Sequence, residues 1–206
     1  MDQRDELEAQ GKLEAWEYNP HDEDHRRPHK YFPNRPVDSE HVRELGVLTW
    51  KLDVVEWDKN PLLEKIKMDR GYKYSEIATI SPEEMTDFEE KVKGYFKEHM
   101  HSQEEIRLIL DGGGYWDIRD YDESWIRFRV NKGDLIVLPP GMFHRFTLDE
   151  HNYVKALLLY TNIPCRTQLE KSTEDDSIAS CRKLYAEKVL NNPRAIHRKR
   201  PQISAH

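Results

Sequence analysis

The stretch "EHMHSQEEIRLIL" (residues 98–110) places two histidines one residue apart, then two glutamates, then an apolar run. Side chains two residues apart share one face of a strand but lie on nearly opposite sides of a helix. His99 and His101 can therefore act together only if this segment is extended. Parity then selects among the carboxylates. Glu105 falls on the same face as both histidines, whereas Glu98 and Glu104 point the other way. Arg107 follows Glu105 on the shared face.

Working outward, the chain from His99 to Tyr160 breaks into short apolar segments: "HMHSQEEIRLIL", "GYWDIRD", "SWIRFRV", "DLIVLPP", "MFHRFTL" and "YVKALLLY". "DGGG", "DYDE", "NKGD" and "DEHN" separate them. Strands at nearly regular intervals with such turns indicate an antiparallel sandwich or barrel. One strand cannot surround an ion, so a fourth ligand must come from a neighbour. His144, after the Pro139-Pro140-Gly141 turn, lies in the other β-patterned segment that contains a histidine. His151 sits in the "DEHN" turn and is the weaker candidate. An isolated His-x-His pair is more often two ordinary histidines. A carboxylate at matching parity and a second β-segment histidine shift the balance to a metal site.

Three imidazoles and one carboxylate would close a tetrahedral zinc centre. On an octahedral ion they leave two positions open for a chelating substrate or two waters. Iron, nickel, cobalt and manganese all suit these donors. One glutamate against a divalent cation leaves net positive charge, which favours an anionic oxygen chelate. Arg107 would add a cation that does not deprotonate; its bland alternative is an internal salt bridge.

Composition narrows the class. The 206 residues carry a net charge of −7, which offers no footprint for nucleic acid or an anionic membrane. Five Trp, ten Tyr and six Phe supply core volume despite a charged fraction of 34%. No apolar run reaches membrane-spanning length, and "MDQRDELEAQGKLEAW" is too polar for a signal peptide. The two cysteines, Cys165 and Cys181, lie away from the histidine motif and suggest no disulfide framework. These features point to the cytoplasm, with the nucleus open to a chain of this size, and to a monomer without nucleic-acid or membrane partners.

Residues 1–36 read as a polar, proline-broken extension, and "HDEDHRRPH" (21–29) as a solvated tail. The central domain spans 37–161. It opens with a helix at "DSEHVRELG", a strand at "VLTWKLD", a helix at "PLLEKIKMDRG" and a helix starting at Ser81-Pro82 that delivers the chain to His99. Residues 162–206 form a C-terminal extension with a helix at "SIASCRKLYAEKVL", where Cys181 should pack, and a basic tail. "DGGG" reads as a hairpin turn.

Gly94, His99-x-His101, Glu105 and Gly112 resemble the first cupin motif, one residue short between glycine and histidine. Gly133, Pro139-x-Gly141 and His144 resemble the second, with Leu148 where asparagine is usual. A longer resemblance runs from about Val37 to Leu159. It is carried by "GVLTWKLD", "KEHMHSQEEIRLILDGGGYWDIRD" and "WIRFRVNKGDLIVLPPGMFHRFTLDEHNYVKAL", and it is to the acireductone dioxygenase family. It implies a mainly β, cupin-type antiparallel barrel (a double-stranded β-helix) with a few peripheral helices. It further implies one Fe(II) or Ni(II) per monomer, held by His99, His101, Glu105 and His144. The implied reaction is O₂-dependent cleavage of an enediol-ketone with a methylthio tail, in methionine salvage, with Arg107 steadying the anionic intermediate. Tyr95 or Phe96, together with Phe146, would wall the substrate pocket. Where the family has a Trp-containing closing segment, this chain reads "TNIPCRTQLEKS". A cupin isomerase, another cupin oxygenase or a non-catalytic binding protein are the alternatives on the same four residues.

Overall fold

The computed structural model describes residues 11–21, 24–164, 168–170 and 176–191. Residues 1–10, Cys165 and the basic tail lie outside the described residues. The described strands are β1 (Ala15–Glu17), β2 (Pro36–Val37), β3 (Leu48–Lys51), β4 (Tyr74–Ile80), β5 (His99–Met100) and β6 (Glu105–Arg119). They continue as β7 (Trp125–Asn131), β8 (Asp134–Leu138), β9 (His144–Leu148), β10 (Val154–Tyr160) and β11 (Leu169–Glu170). The helices are α1 (Ser39–Glu44), α2 (Pro61–Arg70), α3 (Phe88–Tyr95) and α4 (Asp176–Tyr185).

Every strand pair is antiparallel, and β6 belongs to two sheets. Its first half pairs with β8 and β10, which carry β3 and β4 outside them. Its second half pairs with β7 and β9, which lead to β1–β2 on one side and β5–β11 on the other. The mainly β barrel architecture is thus present, with the helices at its periphery.

The glycines explain how one strand serves both sheets. "DGGG" is not a hairpin turn, because Gly113 and Gly114 stay in register with Asn131 and Val130. Gly112 has a φ of +70°. A Cβ on Gly113 would lie 2.5 Å from the Val130 carbonyl oxygen, and one on Gly114 2.4 Å from that of Thr147. Side chains are excluded where the sheets close on each other, so the strand bends without ending. A register shift between Lys155 and Ala156 on β10 lies just before the bend.

Alternation along β6 sorts the core. Ile106, Leu108 and Leu110 face outward and pack with Trp50, Leu63, Ile66, Leu135, Val137, Leu157 and Leu159 beneath α2. Ile109 faces the barrel interior with Trp116, Phe128, Ile136, Phe146 and Leu158. The helices follow their local signals. The Asp38 side chain accepts from Glu40 N, Asn60 accepts from Leu62 N and Leu63 N, and Gly71 ends α2 at φ +72°. Ser81 Oγ does accept from Glu84 N at 3.3 Å, but it caps only a turn, and α3 begins at Phe88. Strand β4 was not apparent in the sequence, where serine and glutamate interrupt its apolar positions.

The N-terminal segment is not a free extension. Trp16, 1% exposed, donates to Pro28 O at 2.7 Å, and β1 adds to the edge of β7. In "HDEDHRRPH", His29 is buried, its ring bridging Asn19 O and Asp24 O, and it stacks on Tyr18. Arg127 holds this loop from below, donating to His25 O at 2.9 Å and to Arg27 O. The same guanidinium, 0% exposed, pairs with Asp117 at 2.6 Å, and Arg145 meets Asp117 from the other side at 2.7 Å. Three adjacent strands are so tied through one buried carboxylate. At the other end, Tyr185 donates to Leu45 O at 2.9 Å and Cys181 packs on Met100 and Phe143.

Arg127→Met would leave Asp117 with one cation and free two loop carbonyls. The expected loss is about 3–5 kcal/mol in urea-induced unfolding, the usual cost of removing one partner of a buried ion pair; a loss below about 1 kcal/mol would contradict this role.

Candidate metal centre

His99 and His144 are direct cross-strand partners on β5 and β9. Their ring centroids lie 4.6 Å apart, with His101 5.2 Å from the first and 5.4 Å from the second. Glu105 Oε2 is 2.7 Å from His144 Nε2 and 3.5 Å from His101 Nε2. One ligand atom from each of the four residues falls within 4.8 Å of all the others. It is the cluster of this kind found among the described residues.

The parity reading selects these residues, but the chain brings them together differently. Residues 101–104 break the strand, leaving His99 in the β5–β9 sheet and Glu105 paired beside Leu138 of β8. The ligands converge because the chain wraps around the barrel mouth. The other acids do point away: Glu98 pairs with Arg119 at 2.7 Å, and Glu104 with Arg70 and the Tyr72 hydroxyl. His151 is exposed in its turn.

The donor chemistry fits a cation. His99 Nδ1 lies 2.7 Å from Lys97 O, and His144 Nδ1 2.9 Å from Met142 O. Donation to those carbonyls fixes each ring and leaves Nε2 as a lone-pair donor toward the cluster. Glu105 Oε2 and His144 Nε2 are buried without a hydrogen-bond partner, although they approach each other closely. Two buried polar atoms in this state are costly unless something between them satisfies both. Burial, and then His144, push the His99 imidazole down from 6.5 to about 4, so it is neutral at ordinary pH. Burial alone would raise the Glu105 carboxyl. Arg107, followed by His144 and His101, outweighs that and holds it well below the usual carboxylate range. A neutral His99 imidazole beside an ionised Glu105 carboxylate is the pair of protonation states a metal requires of these two ligands.

Arg107 Nη2 lies 3.2 Å from Glu105 Oε1, and Nη1 donates to Ile106 O at 2.9 Å. The side chain both pairs with the carboxylate and lines a cavity of about 210 Å³. The polar end of that cavity is formed by His99, His101, Glu105, Ser102 and Gln103. Its apolar end is formed by Ile109, Trp116, Phe146, Val154, Ala156 and Leu158. Tyr95 and Phe146 stand in the wall, Phe146 against Trp116 with ring centroids 4.3 Å apart. Phe96 does not: it stacks on His25 at 4.7 Å and lies under the Arg145 guanidinium at 4.1 Å, outside the cavity lining. Helix α3 ends at Tyr95, and the turn sends the next side chain to the far side. Trp116 and the β4 residues Ala78 and Ile80 were missed as wall residues. Even-numbered positions of "YVKALLLY" carried the corresponding signal on β10. Beyond β10 the chain returns as β11 to pair with β5, bringing Gln168, from the stretch "TNIPCRTQLEKS", to the cavity.

Because His99 is depressed on folding, the unfolded chain takes up the proton first as the pH falls below 6.5. Glu105, also depressed, adds stability that is lost as the pH falls through its folded value. Metal-free protein should therefore lose thermal stability between pH 6.5 and 4, and His99→Gln should flatten the slope. An equally steep slope in that variant would contradict the assignment.

A sequence profile of the ARD/ARD' family matches residues 14–168. The acireductone dioxygenase of Monodelphis domestica is 46% identical over 162 residues, covering 79% of this chain and 90% of that protein. Acireductone dioxygenase 1 of Physcomitrium patens is 44% identical over 182 residues, covering 86% and 94%. Among solved structures, an acireductone dioxygenase from Bacillus anthracis, with a cadmium ion in its active centre, superposes with a TM-score of 0.60. That structure is 20% identical in sequence and covers 77% of this chain and 99% of its own; it shares the cupin fold.

Proposed function

The chain belongs to the acireductone dioxygenase family, and we propose that it cleaves an enediol-ketone carrying a methylthio tail, 1,2-dihydroxy-5-(methylthio)pent-1-en-3-one, with O₂. The reading rests on one observation: four ligand atoms converge beside a cavity whose polar end is lined by three of those residues, His99, His101 and Glu105, and whose other end is apolar. His99, His101, Glu105 and His144 would hold one Fe(II) or Ni(II) ion. Such an ion, when bound, supplies Lewis-acid polarisation and a template for adjacent oxygens. The cadmium carried by the Bacillus anthracis relative supports a divalent cation at this kind of site.

The protein's own contribution is electrostatic and steric. Arg107 presents a permanent cation at the polar end, where the enediolate would carry its negative charge, and it needs no reorganisation to do so. It is already anchored by Ile106 O and Glu105, so its position is set before substrate arrives. Trp116, Phe146 and Leu158 surround the tail and exclude water from the electron-rich enediolate. Tyr95 closes the same wall from the end of α3. Cleavage with iron would give formate and 4-methylthio-2-oxobutanoate, returning carbon to methionine. With nickel it would give formate, carbon monoxide and 3-methylthiopropanoate. Both sets account for every atom of substrate and O₂.

The test is to mix iron-loaded protein with the enediol anaerobically and then admit O₂. Enediol absorbance should persist without O₂ and fall rapidly with it, with stoichiometric formate. Arg107→Met should lower kcat/KM by about 10²–10³-fold, the usual scale for removing a donor to a developing anion. His144→Ala should abolish both metal retention and turnover. Turnover without O₂ uptake would instead indicate an isomerase, and full activity in His144→Ala would exclude the proposed ligand set.

A further inference from the structure

Cross-strand registers divide the cavity floor into rows. Arg107, Leu158 and Glu76 are successive partners across β6, β10 and β4; the next row inward is Ile109, Ala156 and Ala78. The row after that pairs Val154 with Ile80. Ala156 and Ala78 are thus direct neighbours, both lining the cavity, with Leu158 on one side and Val154 and Ile80 on the other. Two methyl groups between branched side chains leave a notch in the wall. It lies two residues along the strand from Arg107, about 7 Å deeper than the polar end. Met85, which also lines the cavity, is unbranched and can shift to fit what enters.

We propose that the Ala78–Ala156 notch seats the end of the substrate's thioether tail and sets its permitted length, so that the enzyme accepts enediols with tails at least one methylene longer than methylthio. This rests on the dioxygenase reading and names a specificity determinant within the same cavity. The polar end fixes the enediol oxygens, so a tail runs inward along Ile109 to the alanine row. Filling the notch with a β-branched side chain removes that space while leaving Arg107 and the ligand cluster two or more residues away.

The test compares kcat/KM for three enediols, bearing no thioether, a methylthio tail and an ethylthio tail, in the iron-loaded protein and in Ala156→Val and Ala78→Val. In the unmodified protein the ethylthio compound should retain at least about a third of the methylthio kcat/KM, because the extra methylene is buried rather than expelled. Each variant should lower the ratio of ethylthio to tail-free kcat/KM by about 10-fold or more, chiefly through KM. Using the ratio cancels any general loss from altered folding, and two positions on different strands guard against damage at either. An unchanged ratio in both variants, or ethylthio rejected by the unmodified protein while the tail-free compound reacts, would overturn the notch and leave the dioxygenase reading intact. Failure of all three compounds to react in the unmodified protein would overturn the reading itself and the notch with it.

Discussion

A single strand that belongs to two sheets is the constraint from which the rest follows. β6 enters beside β8 and β10, bends at Gly112–Gly114, and leaves between β7 and β9. Its alternation places Glu105, Arg107 and Ile109 on the barrel's inner face and Ile106, Leu108 and Leu110 against the layer under α2. An acid, a cation and an apolar surface are lined up in that order along one edge of the cavity. The polarity gradient that orients a charged head and an apolar tail is therefore a property of one strand's sequence.

Ligand convergence needs rigidity behind it. β9 presents His144 inward while its next residue, Arg145, reaches the buried Asp117. Asp117 also holds Arg127, and Arg127 pins the loop of residues 24–29. Tyr18, Phe96 and Trp125 cover Arg145 with their ring faces, 4.1–4.7 Å from the guanidinium carbon. This layer lies on the outer side of the strand whose inner side carries a ligand. In the turn that leads into β9, Arg182 of α4 donates to Gly141 O, three residues before His144. A Cβ on Gly141 would sit 2.5 Å from Cys181 O, so the helix backbone packs directly on that turn.

Much of this was legible in the sequence because it rests on local rules. Period-two alternation and turn residues gave the strands after His99, and capping residues gave α1 and α2. The ligand set was legible because four chemically distinctive side chains occur in β-patterned segments. What escaped depended on contacts between distant segments. The polar composition of residues 15–37 hides two short strands, β1 and β2, that pair with each other and, through β1, with the distant β7. The triple glycine looks like a turn in isolation, and only its neighbours' carbonyls make it a bend within a strand. Phe96 and Tyr95 are indistinguishable in sequence, yet the end of α3 sends one to the cavity and the other to Arg145. The alanine notch is visible only once β4 and β10 are in register.

The central claim is that Glu105, and not its neighbour, completes the histidine cluster. Calorimetric titration of the metal-free protein with Ni(II) tests it directly. One site per chain is expected, with affinity falling at least about 100-fold in Glu105→Gln and only a few-fold in Glu104→Gln, whose native partners are Arg70 and Tyr72. Equal losses in the two variants, or none in Glu105→Gln, would contradict the account.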